Sequence, residues 1–225
     1  DGIRDVERSR GLGDVYKRQA KEPGLIVTVD NGITSTVGVA AARKLNMDVL
    51  ITDHHLPGEE LPAANAIINP NLVSEPFAGK NLAGVGVAFY LLAALGRRLN
   101  KPEVVSQYLD LVALGTIADL VSLDHSNRIL INQGLARVKA GCCRPGLLAL
   151  CQVADVANSE LTSTKLAFQI APRLNAAGRL DDMTIGVRCL MTESPDEALE
   201  LATRLNELNL KRRVIEARMG TEAIE

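Results

Sequence analysis

Two carboxylates and two imidazoles stand just beyond apolar runs in this sequence. Asp30 ends the run Leu25 to Val29, and Asp53, followed at once by His54 and His55, ends the run Val49 to Thr52. In parallel α/β sheets, ligands bind beyond the carboxyl ends of the strands, so one sheet edge would present all four groups. Carboxylate and imidazole together suit Mn²⁺, Mg²⁺, Fe or Zn²⁺ rather than a soft-metal site. Asp119 is a third carboxylate in an odd setting, after the apolar stretch Leu109 to Ala118 and before Leu120-Val121. A charge there is rarely buried without a partner, and a metal would be one. Each residue also has a bland reading. Asp30 before Asn31-Gly32 is a turn former, Asp53 and Asp119 are caps, and the histidines are loop residues. The metal reading gains from joint placement, because the bland explanations must all hold at once.

The elements that would carry these residues follow from the apolar pattern. Leu25 to Val29 reads as a buried strand turned away by Asn31-Gly32, Thr34 to Leu45 as a helix, and Val49 to Thr52 as a second buried strand. Two apolar strands joined by one helix make a βαβ unit and a parallel sheet. Ala66 to Asn69 reads as a third short strand closed by Pro70. Helices are expected over Val85 to Leu99, Glu103 to Leu114, Ile129 to Ala140, Gly146 to Val153 and Ser163 to Ile170. Ser194 to Met219 reads as one long helix, with Ser194 as N-cap, Pro195 at the first position and acids in the first turn.

The bulk composition bounds the function. The chain has 225 residues, 47% of them hydrophobic, no tryptophan and a net charge of −2. It can bury an aliphatic core, and it offers no broad basic face for nucleic acid. A nucleic-acid substrate would need a local groove or metal ions. Cys142, Cys143, Cys151 and Cys189 form no CxxC pair and read as buried, reduced thiols. There is no signal peptide and no apolar run long enough to span a bilayer, so no membrane partner is expected and a cytoplasmic location is the simplest inference.

Three further features need weighing. Gly84-Val85-Gly86 is a lone GxG without the strand–turn–helix context of a dinucleotide fingerprint, and it reads as tight packing where the chain enters a helix. Lys211-Arg212-Arg213 reads by default as a solvated helix face. Arg173 and Arg179 flank Asn175. Guanidinium forks match phosphate oxygens, but on these residues alone a helix-end salt bridge is slightly favoured.

Val29-Asp30-Asn31-Gly32, Asp53-His54-His55 and Ala113-Leu114-Gly115-Thr116-Ile117-Ala118-Asp119 resemble the second, third and fourth motifs of the DHH phosphoesterase superfamily. The segments Thr52 to Gly58, Ala66 to Asn71, Leu82 to Tyr90 and Pro172-Arg173-Leu174-Asn175-Ala176-Ala177-Gly178-Arg179-Leu180-Asp181 narrow the resemblance to the RecJ family, bacterial single-strand-specific 5′-to-3′ DNA exonucleases of repair and recombination. The resemblance runs from about Gly24 to the C-terminus. It implies an α/β parallel-sheet catalytic domain, then a helical segment and a long connecting helix. It implies two ions, Mn²⁺ or Mg²⁺, with Asp30 bridging them and His54 and Asp119 each holding one. His55 would lie by the substrate phosphate, and Asp53 would orient the histidines. Arg173, Asn175 and Arg179 would meet the DNA backbone near the scissile phosphate, and Lys211 to Arg213 would border the DNA path. Single-strand-binding protein or a helicase would be partners.

Some of the family's pattern is not found. Its aspartate-rich first motif has no match in residues 1–19, where Asp1, Asp5 and Asp14 lack its spacing. Residues 1–19 are expected to be a non-native leader, because Asp14-Val15-Tyr16-Lys17-Arg18-Gln19 is also what a common transposon sequencing adaptor yields when translated. Glu225 stops inside a helical pattern, and the family's second domain and oligonucleotide-binding barrel are not in the chain. The expected divisions are therefore a leader over 1–19, a catalytic domain over 20–140 with its N-terminal strand missing, a helical continuation over 141–193 and a truncated connecting helix over 194–225. Such a chain is expected to be inactive or nearly so. Two alternatives stand beside the exonuclease. One is another DHH phosphoesterase, acting on pyrophosphate, short oligonucleotides or cyclic dinucleotides. The other is a non-catalytic scaffold that binds DNA or a partner protein.

Overall fold

The computed structural model describes residues 23–222, so the leader expected over 1–19 lies outside the described residues. The chain divides into two compact units between Leu130 and Ile131.

The first unit holds the parallel sheet. Its strands β1 (Leu25–Val29), β2 (Asp48–Thr52) and β3 (Ala66–Ile68) run in the order β1-β2-β3. The pairing Val29↔Thr52 ends both long strands at the same level, and Thr52↔Ile68 brings β3 to it. Helix α1 (Thr36–Lys44) crosses from β1 to β2 and buries Val39 and Ala42 with Met47, Val49 and Ile51. It ends where Asn46 takes a left-handed conformation (φ 57°), with Asn46 N–H donating to the Arg43 carbonyl and Met47 N–H to that of Ala42. This pair of hydrogen bonds is the usual way for a helix to satisfy its last carbonyls. Asn100 ends α2 (Gly84–Arg98) by the same pair of bonds. On the opposite face of the sheet, Leu82, Val87 and Val112 cluster with Leu130, and Ile68 packs against them.

Two expectations are corrected here. The apolar run of β1 was expected to be buried throughout, yet Leu25, Val27 and Val29 are each about half exposed. β1 is an edge strand of the described sheet, so only its α1-facing residues are covered. The helix expected over Glu103 to Leu114 is a 3₁₀ stretch, Pro102–Tyr108, followed by α3 (Leu109–Ala118). Val104 and Val105, stiff at χ1, are poor formers of a regular α-helical turn. Helix α4 (His125–Lys139) begins four residues before the expected Ile129. Asp124 caps it, its Oδ1 accepting from Asn127 N–H at 3.0 Å.

The second unit is helical, with α5 (Pro145–Val153), α6 (Ala171–Leu180), α7 (Thr184–Met191) and α8 (Pro195–Glu222). Its core includes Leu147, Leu150, Leu161, Leu166, Ile170, Ala177, Cys189, Ala202 and Leu205. α8 packs along α5, α6 and α7, so the segments expected separately over 141–193 and 194–225 share one core. Ser194 caps α8 as expected, accepting from Glu197 N–H at 3.4 Å. Cys151 and Cys189 are buried as expected, whereas Cys142 is exposed.

Candidate metal centre

The site forms where β1, β2 and α3 end. Asp30 sits at the tip of β1 in a left-handed conformation (φ 62°), held to the sheet by Asp30 N–H donating to the Thr52 carbonyl at 3.0 Å. For a residue with a Cβ this backbone is strained by about 1 kcal/mol or more, and strain of this kind collects at functional sites. Asp53 follows directly on β2, beside Asp30. Asp119 is the C-cap of α3, and its N–H donates to the Gly115 carbonyl. A Cβ at Gly115 would lie 2.7 Å from Val85 Cγ1, so glycine is what lets α3 approach α2 this closely.

His54 is the centre of the arrangement. Its Nε2 lies 3.0 Å from Asp30 Oδ1 and 3.4 Å from Asp119 Oδ2. The nitrogen is buried and makes no hydrogen bond, although both oxygens are close. The distances are those of an ion pair, but the angles are not those of a hydrogen bond. An imidazole lone pair aimed between two carboxylates, and unsatisfied there, fits a shared cation better than it fits a proton. Burial, then repulsion from Asp119, lifts the Asp30 carboxyl above its ordinary value against the pull of both imidazoles. Ligand atoms of Asp30, His54 and His55 all fall within 4.8 Å of one another. The donor set of hard oxygen and imidazole nitrogen therefore fits a divalent ion such as Mn²⁺ or Mg²⁺.

Asp53 organises that centre. Its side chain is 1% exposed. Oδ2 accepts from Ile33 N–H at 2.9 Å, and Oδ1 accepts from His54 N–H at 2.8 Å, His55 N–H at 3.2 Å and His55 Nδ1 at 2.7 Å. Burial pushes the Asp53 carboxyl up, but these donors together outweigh it and hold it below its ordinary value. The same bond to Asp53 raises the His55 imidazole above its usual range and fixes Nδ1 as the donor, which leaves Nε2 facing outward.

Three supporting residues were given no part in the site by sequence reasoning. Asn69 Nδ2 donates to the His55 carbonyl at 2.8 Å, and Asn71 Nδ2 donates to the His54 carbonyl at 2.6 Å. Both lie in the Asn-Pro-Asn step after β3, a signal that was readable but assigned no role. Gly84 is the third. A Cβ there would stand 2.2 Å from Asp30 Oδ1, so the expected tight entry into α2 is a contact with the site itself.

Arg173, Asn175 and Arg179 all lie on α6, in the second unit. Asn175 is exposed. Arg173 is half-buried, with Nε donating to Asn206 Oδ1 at 2.9 Å and Nη1 to the Gln169 carbonyl. Among the described residues Arg173 makes no salt bridge, and at the end of α6 Arg204 pairs with Asp181 at 2.9 Å.

The profile of the DHH family, N-terminal domain, matches residues 4–116, half of the chain. The chain belongs to the DHH family. That match opens at residue 4, inside the 1–19 segment. Among DHH relatives, the single-stranded-DNA-specific exonucleases RecJ of Salmonella typhimurium and Escherichia coli are 50% and 51% identical to this chain, each over 97% of it and 40% of the relative. The chain therefore spans about two fifths of the length of these relatives. The crystal structure of an exonuclease RecJ bound to manganese superposes with a TM-score of 0.84 at 36% identity, over 96% of this chain and 54% of that one. RecJ from Thermus thermophilus in complex with Mn²⁺ gives 0.82 at 36% identity, over 91% of this chain and 31% of that one. A second structure of the Thermus thermophilus protein is in complex with Mg²⁺. The α/β parallel-sheet fold expected from the sequence is therefore the fold of these DHH proteins.

Proposed function

We propose that this chain is the metal-binding part of a single-strand-specific DNA exonuclease that hydrolyses phosphodiesters with Mn²⁺ or Mg²⁺. The observation that carries the reading is the buried, unsatisfied His54 Nε2 between Asp30 Oδ1 and Asp119 Oδ2. Relatives named as such exonucleases, and solved relatives holding Mn²⁺ or Mg²⁺, support the substrate and the ion.

Asp30, His54 and Asp119 would hold the metal. A divalent pair bound there supplies Lewis acidity, which lowers the pKa of an attacking water and neutralises charge on the leaving oxygen. Asp30, at the tip of β1, brings Oδ1 to 3.0 Å from His54 Nε2. Asp53 keeps the His55 ring oriented so that Nε2 can donate a proton or hydrogen bond to a phosphate oxygen. Asn69 and Asn71 hold the carbonyls of the two histidines and so the backbone from which both rings project. Arg173 supplies a guanidinium fork for the DNA backbone, with Asn175 and Arg179 on the same helix. Digestion from the 5′ end, partners such as single-strand-binding protein or a helicase, and a cytoplasmic location belong to the same reading. No described helix is long and apolar enough to cross a membrane.

Thermal unfolding in rising Mn²⁺ tests the site. The chain should be stabilised by Mn²⁺, by about 2.7 kcal/mol when the ion stands a hundredfold above its Kd, and His54→Ala should abolish the gain. Equal stabilisation of both proteins would refute the ligand assignment.

A further inference from the structure

Asn127, on the first turn of α4, is fully buried, and it ties together two segments that lead into the metal centre. Its Nδ2 donates to the Asn81 carbonyl at 2.7 Å and to the Ser122 carbonyl at 2.8 Å. Ser122 comes three residues after Asp119, and Asn81 comes three before Gly84, the glycine that lies against Asp30. Three residues of chain span at most about 11 Å, so both ends of the tie stand close to the centre along the chain. Two carbonyls on one side fix the amide with its nitrogen toward them. Oδ1 is then left buried without a hydrogen bond. That is a cost to stability, so an asparagine here is explained by its two donors and not by packing.

The stretch held down is the one that leaves the metal centre. α3 ends at Asp119, and the next residue, Leu120, takes a left-handed conformation (φ 58°). Leucine rarely does so, because its Cβ crowds the following carbonyl oxygen. The Leu120 side chain is 86% exposed, so its burial does not hold the turn in place. Strain of this kind persists only where the surrounding structure over-determines it. Here two ties lie two and three residues further on: Asn127 Nδ2 to the Ser122 carbonyl, and Arg128 Nε to the Leu123 carbonyl at 2.7 Å. The turn at Leu120 sets the direction in which the chain leaves Asp119. It thereby constrains the backbone from which Asp119 Oδ2 comes to 3.4 Å from His54 Nε2.

We propose that Asn127 is a positioning residue of the metal centre. It holds the left-handed turn at Leu120, and with it the Asp119 carboxylate, in place relative to the segment that seats Asp30. The proposal deepens the metal-dependent reading of the site and rests on it for the identity of the ligands.

The test is isothermal calorimetry with Mn²⁺ on the 225-residue chain, at a temperature where circular dichroism shows each variant to be folded. Asn127→Ala should bind Mn²⁺ about 10-fold more weakly, the lower end of what losing the support of a metal ligand costs. Val39→Ala removes packing from the core under α1. It should lower the Tm yet bind as the parent does, which separates lost stability from lost ligand placement. Adding Leu120→Asn to Asn127→Ala should restore much of the affinity, because asparagine takes the left-handed turn far more readily than leucine. A role in packing alone would not be rescued at that position. Should Asn127→Ala not fold, Arg128→Ala carries the test, since it cuts the neighbouring tie from an exposed residue: binding should weaken, and Leu120→Asn should again restore it. Parent-like affinity in the variant that cuts the tie, or a weakening that Leu120→Asn leaves unchanged, would overturn the role of Asn127 while the metal centre stands. A parent chain that binds no Mn²⁺ would overturn the metal centre, and this role with it.

Discussion

Gly84→Ala is the substitution whose effect on the metal centre can be worked most directly from the structure. The new Cβ would lie 2.2 Å from Asp30 Oδ1 and 2.6 Å from Asp30 Cβ and Cγ, against the 3.4 Å at which ordinary contact begins. About 1.2 Å of movement is therefore needed between α2 and the tip of β1. Asp30 has little room to supply it, since its backbone is already left-handed and bonded to Thr52. Overpacking of this kind costs about 1–3 kcal/mol, offset by about 1 kcal/mol of helix propensity gained over glycine. Stability should thus change little, while Asp30 is displaced from His54 and Asp119. Loss of ligand placement typically lowers metal affinity about 10- to 100-fold. Gly86→Ala is the control on the same helix. Its Cβ meets only the Leu82 side chain, Cδ2 at 3.2 Å and Cβ at 3.5 Å, far from the 2.2 Å clash with a site residue, and it gains the same propensity. Isothermal calorimetry with Mn²⁺ on the parent, Gly84→Ala and Gly86→Ala decides the matter. Equal Kd values for the parent and Gly84→Ala would refute the view that glycine is required there to seat Asp30.

Further outcomes follow from the same geometry. Asp53→Asn replaces a buried carboxylate that accepts four hydrogen bonds with an amide that must turn donors toward some of them. The loss should be about 3 kcal/mol in urea unfolding, and a loss below about 1 kcal/mol would contradict the bonding described. Asp181 is held below the ordinary carboxylate range by its bond from Arg204 and then by the Asp182 N–H. Its folded value lies below its unfolded one, so its contribution is present above about pH 4 and is lost as pH falls through the folded value. Arg204→Gln should therefore flatten the acid limb of the Tm–pH curve, by a small amount because the pair is exposed and screened; parallel curves would count against it. Burial pushes the Cys151 and Cys189 thiols up to about 11. At about pH 8, Ellman's reagent should reach exposed Cys142 in the folded protein and those two only on unfolding; prompt labelling of all would show the second core to be open.

Much of the candidate metal centre was legible in the sequence because strand ends are legible. Leu25 to Val29 and Val49 to Thr52 announce two parallel strands, and in such a sheet the next residues must share one edge, which is where Asp30, Asp53, His54 and His55 stand. The long helix from Pro195 was readable from its cap for the same local reason. The sequence could not settle which side chains face the centre. His54 and His55 are neighbours of one type, and only the folded bonds of Asp53 turn one ring to the carboxylates and leave the other open. Nor could it tell that Leu25, Val27 and Val29 would be half exposed, since an edge strand and a central one share the same apolar run. The pinning of Arg173 between Gln169 and Asn206 joins residues 33 positions apart in the case of Asn206. Residue type and local spacing determined which groups could do chemistry. Which of them meet, and at what angle, was decided by helix packing and strand register, since these set distances between residues that the chain order keeps apart.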